Sequence, residues 1–210
     1  MFAHALRVTL ALLLFRGGPQ DFPYSIPLSR ACAAMAVASS LLLMAPLVPL
    51  PLALAAALGG AGGLAFFTRS LLRARGMENR LAQALGAQYL AGALFALAMW
   101  PPFQAMAPSF LALMQDPDAM AKLSQGTPPA VEAPAWAALL SDLLFFWSIA
   151  VSVRINRLAA DLSMTASVLL TLVGLFVMLS FVVFAQLLAM PLLAIFGALP
   201  VTVPATTPPV

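Results

Sequence analysis

Apolar residues run along this chain in long blocks, and the polar residues gather where those blocks end. A block of about 20 apolar residues matches the hydrocarbon thickness that a membrane-crossing helix must cover. The pattern predicts five spans, at residues 27–45, 51–67, 81–100, 135–153 and 165–190. Ser25 is placed to cap the first, with Pro27 in its opening turn. Pro46, Pro49 and Pro51 mark a tight reversal after it, and Pro101 and Pro102 are expected to stop the third span. Asp161 or Ser163 can cap the fifth, which Pro191 then kinks or ends.

The remaining stretches are shorter or more polar. Met1 to Arg16 is apolar but too short to cross, with Arg7 in its middle. A cleaved signal peptide is one reading. Arg16 directly after the apolar core, and no small-x-small site before Pro19, favour a helix lying in the inner interface, with His4, Arg7 and Ala11 on one face. Residues 1–26 therefore form an interfacial helix and loop, 27–200 the transmembrane domain, and 201–210 a loose tail. Within the domain, 101–134 is the outer loop: a short amphipathic surface helix from Phe103 onward, then a Pro-rich segment. Leu192 to Leu199 is expected to run along the surface.

Composition narrows the class. The chain is 63% hydrophobic and 8% charged, with a mean hydropathy of +1.01. Soluble domains carry about 25% charged residues, so this surface suits lipid and not water. The fold class that follows is an all-α membrane protein, a five-span transmembrane helical bundle with a short N-terminal interfacial helix. The net charge of +3 comes without a contiguous basic patch interleaved with aromatics, so no nucleic-acid partner is expected. Cys32 is the single cysteine and His4 the single histidine. That leaves no internal disulfide, no histidine-based metal site and no Ser-His pair. GGAGG at Gly59–Gly63 lies inside an apolar run with no Lys-Ser/Thr after it, so it is no phosphate loop. No catalytic residue, metal or cofactor is expected.

Charge also sets an orientation. If the first span leaves the cytoplasm, Arg7, Arg16, Arg30, Arg69, Arg73, Arg75, Arg80, Arg154 and Arg157 fall inside and only Lys122 falls outside. Trp100 and Trp136 then meet the outer interface together. The expected location is a bacterial inner (cytoplasmic) membrane, with the N-terminus cytoplasmic and the C-terminus periplasmic. Glu78, Asp161 and the inner arginines fit solvated helix ends, or contacts to lipid headgroups.

A few polar and small residues inside the spans are candidates for function. Asp142 lies about 10 Å below the outer interface, where a carboxylate facing lipid costs up to about 2.5–3.5 kcal/mol. It reads as a relay site or partner contact, or as a packing acid kept neutral or bonded to Ser141. Ser180 and Gln186 fall at a similar level on the fifth span. Gln88 and Thr171 can meet in the inner half of the bundle, as helix glue contributing about 0.6 kcal/mol or as the lining of a cavity. Ala55, Gly59 and Gly63 recur every four residues, giving a face for close helix approach, within the chain or to a partner.

Five spans, an inner N-terminus and a short chain resemble the architecture of small bacterial Yip1-type membrane proteins, over most of the sequence. The likeness lies in the span pattern. The Asp-Leu-Tyr-Gly-Pro signature of eukaryotic members is absent, GGPQDFPYS in the N-terminal loop not being that motif, so no site residue is carried over. The resemblance implies a non-catalytic membrane protein working through partner helices and lipid. The expected role is an accessory, scaffold or assembly subunit, in contact with membrane lipids and with other membrane subunits or further copies of itself. The alternative is a small transporter or channel titrating at Asp142, with Gln88, Thr171 and Gln186 along its path.

Overall fold

The computed structural model describes residues 1–115, 118 and 133–195. Within them lie six α-helices: α1 (Phe2–Leu13), α2 (Ile26–Met44), α3 (Leu50–Ala74), α4 (Leu81–Gln115), α5 (Ala135–Ala159) and α6 (Met164–Ile195). The described residues contain no strand. The five helices after α1 are long and apolar enough to cross a membrane. The chain is an all-α helical bundle and a multi-pass membrane protein.

Each boundary has a local cause. Ser25 caps α2 by accepting the Leu28 N–H at 3.3 Å, and Ser163 caps α6 through the Ala166 N–H at 3.3 Å. α3 runs on through Arg69 and Arg73, past the predicted limit of 67, because nothing breaks it before Gly76. Gly76 takes φ +67°, and the Gly76 and Met77 N–H groups close back on Arg73 and Leu72 as a Schellman motif. α5 passes residue 153 and ends the same way, with Asp161 at φ +48° and the Leu162 N–H on Arg157. So Asp161 closes α5 and leaves the capping of α6 to Ser163.

Prolines stop less than the sequence suggested. α4 continues through Pro101, Pro102 and Pro108 to Gln115, in place of a surface helix starting at Phe103. A proline's fixed φ is helical; it costs the lost N–H bond and a clash one turn back. Here Pro102, Met106 and Ala107 are buried, so continuation gains packing to offset that cost. α6 likewise passes Pro191 and reaches Ile195. Lys122, the Pro-rich half of the outer loop, Phe196–Leu199 and the tail at 201–210 lie outside the described residues.

Two sets of helices make the bundle. α3 packs most extensively on α6, and α2 on α4, which also packs on α5. The α3–α6 contact is where the glycine ladder is used, and it is internal to the chain. A Cβ on Gly59 would stand 2.7 Å from the Phe181 carbonyl oxygen, and one on Gly63 2.9 Å from the Met178 Cα. From the other side, Gly174 receives the ring of Phe67. Ala55 is half-buried on the same helix. Gly60 and Gly62 have room, their added Cβ atoms meeting side-chain atoms only at 3.6 and 3.9 Å.

α1 is seated against α4 and α5, burying Ala5, Val8, Thr9 and Leu12 while His4 and Arg7 stay exposed. Its C-terminal end is held by Trp147, whose indole N–H donates to the Leu13 carbonyl at 2.9 Å. That level is about 14 Å along α5 from Asn156, towards the bundle's far end. The N-terminal helix, too short to cross, thus rests against the bundle, and its last carbonyls find donors. Trp147 serves Leu13, while the Phe15 and Arg16 N–H groups bond back to Leu12 and Ala11.

Two tests follow. Gly59→Ala and Gly63→Ala are expected to destabilise the detergent-solubilised protein by about 1–3 kcal/mol through overpacking, whereas Gly60→Ala stays neutral or gains slightly from helix propensity; thermal unfolding reads both. Trp147→Phe leaves the Leu13 carbonyl without its donor and should lower stability by about 1–3 kcal/mol, with faster proteolysis in the first 20 residues.

Candidate functional site

Four buried polar side chains, one from each of four helices, form a continuous hydrogen-bonded chain. The Thr68 hydroxyl on α3 donates to Gln88 Oε1 on α4 at 2.7 Å. The Gln88 amide donates to Asn156 Oδ1 on α5 at 2.8 Å, and the Asn156 amide donates to Thr171 Oγ1 on α6 at 2.9 Å. None of the four is more than 7% exposed. Two neighbours reinforce it: Ser167 donates to the Val153 carbonyl at 2.6 Å, and Tyr89 to the Ala61 carbonyl at 2.8 Å. Gln88 and Thr171 are thus brought together as expected, through an asparagine that sequence reasoning passed over.

This polar chain also borders space. Gln88, Asn156 and Thr171 line a cavity of about 260 Å³, together with Gly92, Ser152 and Met178. A second cavity of about 330 Å³ shares Leu64, Gln88, Gly92 and Met178 with it and reaches α2 at Ala36, Ser40 and Met44. An added Cβ on Gly92 would meet nothing within 4 Å, so this glycine opens the wall between α2, α4 and the rest. Each carboxamide donates one of its two N–H bonds along the chain, so Gln88 and Asn156 each keep one donor.

Arginines frame the same end of the bundle. Arg75 donates to the carbonyls of Ala160 and Asp161 at 3.1 and 3.3 Å. Arg80 reaches those of Leu158 and Ala159 and pairs with the Asp161 carboxylate at 3.2 Å. Both cations therefore sit on the C-terminus of α5, where the helix dipole and the free carbonyls favour positive charge. Arg154 donates twice to the Gly17 carbonyl, at 3.1 and 3.0 Å, and Gln83 donates to the carbonyls of Gln20 and Phe22. Arg73 meets Glu78 at 3.6 Å with both groups well exposed, and Arg69 and Arg157 are exposed.

The other expected site residues are scattered. Asp142 is exposed on the outward side of α5 beside Leu139, Leu143 and Phe146, and it lines neither of these two cavities. It stands about 21 Å from Asn156 along α5. Trp100, counted from Gln88 along α4, stands about 18 Å from that level. The acid and this indole thus share a height on the side of the polar chain away from the arginines. Trp136 lies farther out, about 30 Å from Asn156, so the two tryptophans do not share one level. Ser141 is buried, and its hydroxyl has no partner among the described residues, so it does not pair with the acid. Ser180 bonds its own helix at the Phe176 carbonyl, and Gln186 is half-buried on α6.

Asn156→Leu removes the centre of the chain and orphans both the Gln88 donor and the Thr171 acceptor. A loss of about 1–3 kcal/mol is expected, against almost none for Ser180→Ala, whose hydroxyl serves only its own helix; unfolding in mild detergent compares the two. Set beside known proteins, this chain matches no family model, no curated protein and no solved structure.

Proposed function

We propose that the chain is a non-enzymatic subunit of the bacterial inner membrane, an accessory, scaffold or assembly component that acts through lipid and helix–helix contacts. One observation carries this reading. Among the described residues, Thr68, Gln88, Asn156, Thr171 and their neighbours Tyr89 and Ser167 bond to one another or to backbone carbonyls, which is the work of holding helices together. What the protein turns outward is apolar helix surface, above all on α6, where Leu172, Phe176, Leu179, Phe184 and Leu187 are exposed. The arginines gathered on the α3–α4 and α5–α6 turns support a cytoplasmic placement of that end. With five spans, the N-terminus then starts inside and the C-terminus leaves on the periplasmic side.

A small transporter or channel is the second reading, favoured by the cavity against Gln88, Asn156 and Thr171. In that reading the amides, and not Asp142, face the path. Photo-crosslinking residues introduced for Phe176 or Phe184 in native membranes distinguish the two. A defined adduct with another membrane polypeptide, or with a further copy of the chain, is the expected result. Adducts to lipid alone, together with solute flux in proteoliposomes that Gln88→Leu abolishes, would replace the subunit role with transport.

A further inference from the structure

We propose that the groove between α5 and α6, walled on one side by Phe15, binds one anionic phospholipid from the leaflet on the arginine side. The groove encloses about 340 Å³, within the usual range for a ligand site. Its walls are apolar, with Phe146, Ala150 and Val168 among them, and Arg154 and Arg157 stand at one end. From Arg157 to Phe146 the helix rises about 16 Å, close to half of a hydrocarbon core about 30 Å thick. Charge at one end and one leaflet of apolar wall beyond it are the two halves of a phospholipid.

The cations are available for this. Arg154 is oriented by its two bonds to the Gly17 carbonyl, which leave part of its five-donor guanidinium free. Arg157 is exposed and makes no ion pair among the described residues. Asp161, the carboxylate one turn along, is engaged by Arg80 at 3.2 Å. Two guanidinium groups without a local counter-charge present the planar donor forks that suit a phosphodiester.

Phe15 is a second sign that the groove is built. Its φ of +58° is a left-handed conformation that bulky residues rarely adopt. The Schellman bonds at the end of α1 and the clamp of Arg154 on Gly17 hold it there. Strained residues of this kind gather at sites where a ligand is gripped. Because α1 ends in this turn, the aromatic residue that follows it, Phe15, lines the groove. Site and subunit role are separable: a chain that held the lipid but met no partner would keep the first and lose the second.

Native mass spectrometry of the full chain in neutral detergent tests the site, with phosphatidylglycerol, phosphatidylcholine and glycerol phosphate as probes. Wild-type protein is expected to retain one phosphatidylglycerol in preference to phosphatidylcholine. Arg157→Gln should weaken that retention about five-fold, and Ala150→Trp, which fills the groove without touching charge, should weaken it too. Equal retention of both lipids by wild-type protein overturns the proposal and needs no variant to fold. So does unchanged phosphatidylglycerol binding in a folded Arg157→Gln chain. Displacement of the lipid by an equal concentration of glycerol phosphate would identify the occupant as a free phosphate and overturn the lipid assignment.

Discussion

The hydrogen-bonded chain from Thr68 through Gln88 and Asn156 to Thr171 is the constraint on which the rest of the structure depends. In lipid, helices gain little from burying apolar surface against one another, because the tails around them are equally apolar. Close packing and polar contacts must then fix which helices meet and at what height. Here the glycine face of α3 brings α6 near, and the two amides tie that pair to α4 and α5. A shift of any one helix by a single turn would separate donor from acceptor at each link that helix makes. The chain therefore acts as a register mark across four helices.

From that mark the other features take their levels. The arginine-capped turns lie just beyond it, so the polar chain sits near one boundary of the apolar zone. α1 sits beside α4 and α5 with Trp147 and Arg154, both on α5, bonding its last carbonyl at Leu13 and the Gly17 carbonyl beyond it. The same turn places Phe15 along the α5–α6 groove. Asp142, by contrast, is exposed about 21 Å along α5 from Asn156 and takes no part in the polar chain. The buried bonded amides lie on the arginine side of the bundle.

Much of this was legible in the sequence. Hydropathy located all five long helices, Ser25 and one of Asp161 and Ser163 were expected as caps, spacing picked out Gly59 and Gly63, and matching depth brought Gln88 to Thr171. The missing pieces share a cause. Thr68 and Asn156 lie just past the predicted span limits of 67 and 153, in TRSLLRAR and VRINR, where arginines mark the helix ends. Charge marks where a helix meets headgroups, not where the helix stops. A similar shortcut misread Pro101 and Pro102: a proline pair is a strong breaker by itself, and only the burial of Met106 and Ala107 beyond it shows why the helix carries on. The end of α1 is held in part by one indole N–H far along the chain, which no local pattern reveals.

A double-mutant cycle across Gln88 and Asn156 measures the central link directly. Unfolding free energies of wild type, Gln88→Leu, Asn156→Leu and the double variant give a coupling free of each residue's own packing. A favourable coupling of about 0.6–1.7 kcal/mol is expected for a hydrogen bond made between helices in lipid. Strict additivity of the two substitutions would mean that the amides do not meet, and that something else sets the register of the bundle.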